Sequence, residues 1–184
     1  KVVLAPGYNP YGTGDPNGLY VINNANSNLT IKDCRIYGTL VVQVGTGTVT
    51  LDNAVFLRNY RSDSPALLVR GNAVMKYTSA GGPLSESSLS INFNPAGAPY
   101  EESSDNDRLD AYPNEIRGLV HIEGSLKLQQ TARIIGAVIC NGSVSCEEAN
   151  TITYNPSLYA CPPKWYTYVD GMKLSPQSWK QIVN

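Results

Sequence analysis

The chain is short of charge. Only 16% of its 184 residues are Asp, Glu, Lys or Arg, and the formal net charge is −1. An ordinary globular domain carries about a quarter. With no basic excess there is no electrostatic handle for a phosphate backbone or an anionic lipid surface, so nucleic acid is not an expected partner. Long apolar runs are missing too, and no stretch approaches the roughly 18 residues of a membrane span. Histidine occurs once, at His121, and none of the four cysteines stands in a C-x-x-C pair. A zinc site therefore has little support. No Gly-x-Ser-x-Gly nucleophile element occurs. No cofactor is expected.

Tyr, Asn, Ser, Thr and Gly occupy the place of the missing charges. Such a polar, weakly charged surface is typical of extracellular β proteins. The length suits one domain with a core able to stabilise itself. The chain opens on Lys1 rather than Met, so it is expected to be the trimmed part of a longer protein, with a leader or anchoring helix upstream. Sequons at Asn28 and Asn141 matter only in a eukaryotic host.

Residues 1–18 read as an N-terminal loop or cap, broken by Pro6, Gly7, Pro10, Gly12, Gly14, Pro16 and Gly18, with a short strand at Val2 to Leu4. From Leu19 the pattern changes. Runs of three to five β-branched or aliphatic residues alternate with Asn and Gly turns, too short for helices and alternating with period two. Leu29-Thr-Ile-Lys-Asp-Cys-Arg-Ile aligns with Val49-Thr-Leu-Asp-Asn-Ala-Val-Phe twenty residues on. It aligns again with Leu67-Leu-Val-Arg-Gly-Asn-Ala-Val, eighteen further. A repeat near twenty residues is about one coil of a parallel β-helix, whose coils bury their inward side chains only against their neighbours. An antiparallel sandwich gives short strands without a fixed period.

These signals predict an all-β chain, a right-handed parallel β-helix in one domain. Residues 19–80 form the first coils. Residues 81–115 form a long insertion loop that leaves the stack, with Ser88 to Phe93 as one strand. Residues 116–154 form the last coils. Residues 155–184, rich in Pro and aromatics such as Trp165, Tyr168 and Trp179, form a tail that covers the open end, with a short helix from Ser175.

Residues 116–184 also carry a more specific pattern. Gly118-Leu-Val-His-Ile-Glu-Gly is followed by Gly136-Ala-Val-Ile-Cys-Asn-Gly-Ser-Val. Then come Ile152-Thr-Tyr-Asn-Pro-Ser-Leu, Cys161-Pro-Pro and Pro176-Gln-Ser-Trp-Lys-Gln-Ile-Val. This series resembles the C-terminal region of bacterial PilX-type, pilus-assembly-like surface proteins, and the coils are similar to those of bactofilins. Asn155 stands where that family has Asp, and three cysteines decorate the region. The resemblance implies an N-terminal membrane helix upstream and a non-enzymatic role in the envelope, with self-association or other envelope proteins as partners.

Candidate chemistry is sparse. The acids within the strands are Asp33, Asp52, Glu115 and Glu123. Asp33 and Asp52 fall near the same coil position, where two carboxylates side by side would suit a glycosidase. Asp and Asn also favour β corners, which explains the repeat without catalysis. Asp105-Asn-Asp-Arg-Leu-Asp110 alternates carboxylates in the manner of a calcium loop, but it lacks the glycine and distal glutamate of an EF-hand. It reads as a hydrated, disordered loop. His121 is expected to face solvent without a catalytic partner. Cys34 is expected in the core. Cys140 and Cys146 are expected to point inward, with Cys161 bridged to one of them, or with all as buried free thiols.

The sequence therefore predicts a non-catalytic cell-surface or envelope protein, structural or adhesive, located outside the cytoplasm (extracellular or periplasmic). The alternative is a carbohydrate-active or polysaccharide-binding β-helix.

Overall fold

Alternation of apolar and polar residues makes the strands, and parallel pairing stacks them. In a computed structural model the described residues are 2–77, 82–163 and 166. Strand accounts for 53% of the chain and helix for 4%, so it is all-β with a large parallel sheet. The strands are β1 (Val2–Leu4), β2 (Leu19–Asn23), β3 (Leu29–Tyr37), β4 (Thr39–Arg58) and β5 (Leu67–Tyr77). After an inserted segment follow β8 (Glu115–Ile122), β9 (Leu126–Gln129), β10 (Arg133–Cys140), β11 (Val144–Cys146) and β12 (Thr151–Tyr154). The insertion holds β6 (Leu84–Ser85), helix α1 (Glu86–Leu89) and β7 (Ala111–Tyr112), and helix α2 (Ser157–Ala160) follows β12.

Register divides the parallel sheet into three stacks, which the chain visits in turn. In the first, β1 lies against Cys34 to Ile36, Cys34 against Val55, Leu57 against Ile116, Ile116 against Ile134 and Ile134 against Ile152. In the second, Tyr20 meets Leu40, Leu40 meets Leu67, Leu67 meets Val120 and Val120 meets Val138. In the third, Leu29 meets Val49, Val49 meets Ala73, Ala73 meets Leu126 and Leu126 meets Val144. Side chains in register form apolar ladders through one core. Ile36, Leu57, Ile116 and Ile134 are each at most 2% exposed. Burying such a side chain contributes about 1.5–3 kcal/mol.

The twenty-residue alignment of Leu29 with Val49 is the register observed. The eighteen-residue step from Val49 to Leu67 is not. Val49 pairs with Ala73, and Leu67 pairs with Leu40 in a different stack. Residues 59–66 lengthen the path between stacks at that circuit, and the apolar-x-apolar pattern is the same in every stack.

Asparagine and aspartate build the corners. Asp33 and Asn53 adopt φ of 52° and 62°, left-handed values that Asx residues tolerate better than most. Asn53 Nδ2 donates to Asp33 Oδ1 at 2.5 Å. Elsewhere Asn28, Asn72 and Asn150 use Oδ1 to accept from the backbone N–H of Thr48, Ser125 and Ala132 in a neighbouring circuit, at 2.8 to 3.0 Å. Each satisfies a donor that the strand ladder cannot reach at a bend.

The insertion differs from expectation. Residues 88–93 do not form a strand. Glu86–Leu89 is a short helix, because Ser85 caps it by accepting from Ser88 N at 3.4 Å, and Ser90 closes it at φ 57°. β6 and β7 pair antiparallel and join the two ends of the segment. The segment returns to the stacks. Leu84, Phe93, Ala98 and Tyr112 bury themselves with Val3, Ala5, Ala54 and Phe56 in a second apolar cluster. The next strand begins at Glu115, one residue inside the expected boundary.

Beyond β12, Leu158, Pro162, Pro163 and Tyr166 face Leu119, Ala137 and Ile139 across a hollow of about 210 Å³. The rest of the expected capping tail, with Trp165, Tyr168, Trp179 and the helix from Ser175, lies outside the described residues.

Candidate functional site

The seam between the insertion and the first stack concentrates the unusual chemistry. The outward side chains Val3, Arg35, Phe56 and Glu115 stand in register along that stack. Each is at most 2% exposed. An outward arginine is ordinarily solvated. Here the insertion covers it.

Arg35 is the plug. Its Nη1 donates to the carbonyls of Phe93 at 2.7 Å and Ala98 at 2.9 Å, and Nη2 donates to that of Pro99. The rings of Tyr100 and Tyr112 each lie 5.6 Å from its Cζ. Tyr100 stands edge-on to both Tyr112 and Phe56. Burial lowers the guanidinium pKa, against the opposing pull of Tyr112, Tyr100 and Glu86. A guanidinium out of water needs such partners, and three carbonyls and two aromatic rings supply them for Nη1 and Nη2, while Nε is buried without a hydrogen-bond partner.

Beside the plug lies an acidic cluster. Glu86 opens α1 and is fully buried. Its Oε1 accepts from Phe93 N at 2.5 Å and from the Tyr112 hydroxyl at 2.8 Å, and its Oε2 accepts from Asp110 N at 3.2 Å. Asp105 accepts from the side-chain amides of Asn92 at 3.3 Å and Asn94 at 3.2 Å, and from Asp107 N at 3.2 Å. One oxygen from each of Glu86, Asp105 and Asp107 lies within 4.8 Å of the others. Burial raises the Asp110 pKa, and Asp105, Glu86 and Asp107 push it further in the same direction. The Tyr112 hydroxyl is also pushed up, first by burial and then by its bond to Glu86. The acidic run is anchored at its ends, where half-buried Asp105 and Asp110 meet Asn94 and Tyr112, while residues 106–109 between them are exposed, as a hydrated loop would be. Glu86 was missed, because only the β6–β7 pairing brings it to residues 105–110.

A cleft of about 420 Å³ opens next to Arg35, walled by Tyr37, Phe56, Arg58, Tyr100 and Glu102. Arg58 sits 5.8 Å from the Tyr37 ring. Aromatic faces beside charged groups suit a polyhydroxylated ligand.

The acids expected along the strands do not come together. Asp52 is flanked in register by Lys32 and Lys76, and Asp33 stacks on Asn53 instead. The corner explanation of Asp33 therefore holds. Glu115 is buried and bridged to Arg117 at 2.5 Å and Arg133 at 3.1 Å. Glu123 pairs with Arg70 at 3.6 Å on the surface. His121 is half-buried rather than open to solvent, its Nδ1 hydrogen-bonded to the Tyr166 hydroxyl.

All four cysteines are free thiols, so Cys140, Cys146 and Cys161 are unbridged in this structure. Cys34 is in the core, as expected. Cys140 packs against the core, but Cys146 is exposed instead of inward, since β11 is the last strand described in its stack. Burial pushes the Cys34 thiol pKa up to about 12. Thiolate, not thiol, reacts with disulfide reagents. In native, unreduced protein Cys146 and Cys161 are expected to be titrated by Ellman's reagent within minutes, and Cys34 only after unfolding. No reactive thiol before reduction would restore the disulfide.

No protein-family model, curated protein or solved structure matches the chain. Among the described residues no helix is long and apolar enough to cross a membrane.

Proposed function

We propose that this chain is a right-handed parallel β-helix acting as a non-catalytic, structural or adhesive module on the outer side of a cell envelope. The observation that carries the proposal is the register. Three stacks are each visited once per circuit, and Ile116, Ile134 and Ile152 repeat every eighteen residues. Such a stack is a stiff rod whose surface, not an enclosed pocket, is available to partners. Of the acids of the strand region, Glu115 and Glu123 are paired with arginines and Asp33 accepts from an amide, which favours architecture over acid–base catalysis. The polar, weakly charged surface suits the extracellular or periplasmic side. The likeness of residues 116–184 to PilX-type surface proteins supports a pilus-assembly-related role and anchoring through an upstream segment.

The test is fractionation of the full-length protein in its native host. It is expected with the envelope and open to protease added outside the cell or to the periplasm. Recovery in the cytosol overturns the proposal.

A second reading rests on the cleft of Tyr37, Phe56, Arg58 and Tyr100: a polysaccharide-binding β-helix. A glycan panel separates the two. Saturable binding lost in Tyr37→Ala, with no reducing ends released, favours this reading. Released reducing ends would make the chain an enzyme and sink both.

A further inference from the structure

Resting on the polysaccharide-binding reading, we propose that the cleft beside Arg35 is one half of a longer groove that takes an acidic glycan. The carboxylate or sulfate of one sugar sits on Arg58, and the neighbouring sugar lies among Tyr37, Phe56 and Tyr100. The cleft of about 420 Å³ adjoins a second hollow of about 290 Å³, and Tyr37 and Arg58 line both. Tyr60, Ser62, Asn155 and Arg117 complete much of the second hollow. Two hollows that share a wall suit a chain of linked units better than one compact molecule.

Charge decides which glycan. Tyr37, Arg58, Arg117 and Ile135 stand in register across the first stack. Two arginines are therefore direct neighbours, where like charges repel. Arg117 is compensated, because its Nε donates to Glu115, which also holds Arg133. Arg58 is not. It is exposed, and among the described residues it is in no ion pair. Its guanidinium lies over Tyr37, with Cζ 5.8 Å from the ring centroid. Arg58 and Arg117 both line the second hollow, and no acid does. A carboxylate or sulfate there meets a planar fork able to bond two of its oxygens.

The rest of the groove suits sugar rings. Tyr37 stands edge-on to Tyr60 at 5.2 Å, and Phe56 edge-on to Tyr100 at 5.7 Å, so each ring is braced by another. Braced aromatic rings give contact area at little cost in conformational entropy. Ser62 and Asn155 add a hydroxyl and an amide for ring hydroxyls. At the far end a tight turn closes the cleft. Its two central residues, Glu101 and Glu102, are left-handed, with φ of 46° and 71°. Tyr100 and Ser103 exchange two backbone hydrogen bonds across them, at 2.8 and 2.9 Å. Such a turn ordinarily takes Asn-Gly, so a pair of glutamates there is strained, and strain of this kind gathers at ligand sites. It sets two carboxylates at the rim of the cleft, where they accept from hydroxyls and repel a second anion. The pattern that fits is one charged sugar followed by a neutral one. A run of acidic residues in a peptide would put a charge against Glu101 and Glu102.

The test is calorimetry on the whole chain at low salt with two oligosaccharides that alternate charged and neutral units. Hyaluronan carries carboxylate alone and keratan sulfate carries sulfate alone. Each is paired with its neutral form, methyl-esterified or desulfated, so the two arms tell carboxylate from sulfate. At least one acidic form should bind about 10-fold or more tighter than its neutral form, as a charge-assisted pair of hydrogen bonds allows. The ratio should shrink as salt is raised. Arg58→Gln should keep the wild-type Tm, because the side chain is exposed, and should bring the acidic form down to the affinity of the neutral one. Arg58→Lys should fall between, since an ammonium lacks the planar fork. Arg70→Gln is the control for general charge, a surface arginine paired with Glu123, and should change nothing. Equal affinity for acidic and neutral forms overturns the assignment of an acidic glycan and leaves the polysaccharide reading standing. No binding of any glycan overturns both. A preference that survives Arg58→Gln, or that Arg70→Gln weakens as much, overturns the site. Poly-glutamate bound as tightly as either glycan makes the ligand an acidic peptide and overturns the proposal as well.

Discussion

Arg35→Ala is expected to lower stability by about 3–5 kcal/mol, the range found when one partner of a buried charged network is removed. The carbonyls of Phe93, Ala98 and Pro99 lose their donor. Each buried acceptor left unpaired costs about 1–3 kcal/mol. Tyr100 and Tyr112 lose the cation between them, and the stem of Arg35 leaves a void in the seam. Three variants separate these causes by urea unfolding. Arg35→Met keeps the stem but not the fork, and should recover only part of the loss. Arg35→Lys keeps the charge but cannot reach three carbonyls from one ammonium, and should also fall short of wild type. The damage should be local first. Mild proteolysis of the alanine variant is expected to cut within residues 95–110 while the strand stacks persist, because the insertion is held mainly through this seam. A loss below 1 kcal/mol for Arg35→Ala, with the insertion still protected, would show that the segment is held by its apolar cluster alone.

The seam also shows where sequence reading runs out. The strands and the first register were legible, since Leu29-Thr-Ile and Val49-Thr-Leu share both their alternation and their Asx corner. The same simplicity misled the next step. An apolar-x-apolar strand looks alike in every stack, so Leu67 was aligned with Val49, while the extra residues at 59–66 carry it to Leu40. A signal for the covering segment was present. Val2-Val3-Leu4 and Val55-Phe56-Leu57 are continuous apolar runs, which mark strands buried on both faces. Arg35 gave no such signal, because an outward arginine on a strand is ordinarily solvent-facing. The aspartates of residues 105–110 could be suspected from their spacing. Glu86 could not, because its approach depends on a β6–β7 pairing that spans the whole insertion.

A second large effect is expected where two circuits touch without side chains. Gly136 lies in register over Gly118, with Tyr154 on its other side. A Cβ at position 136 would stand 1.9 Å from the Gly118 carbonyl oxygen and 2.7 Å from its carbonyl carbon. Both atoms are backbone, so no rotamer relieves the clash. Relief requires the strands of β8 and β10 to part, against ladder bonds that hold neighbours about 4.8 Å apart. Gly118 has little room to yield. It sits at φ 129°, and a Cβ there would itself meet Ala66 Cβ at 3.0 Å. Overpacking of this kind costs about 1–3 kcal/mol, and a backbone clash belongs at the upper end. For a chain of this length about 3 kcal/mol corresponds to a fall in Tm of about 6–12 °C. Gly12→Ala is the control. A Cβ at Gly12 meets nothing within 4 Å, so the change there carries only the strain of its φ of 159°, about 1 kcal/mol, with no clash added. Thermal unfolding of the two variants beside wild type decides the matter. Equal Tm values for Gly136→Ala and Gly12→Ala would mean that Gly136 does not lie over Gly118. The eighteen-residue register of the last circuits would then have to shift, since a slip of one residue turns every inward ladder side chain outward.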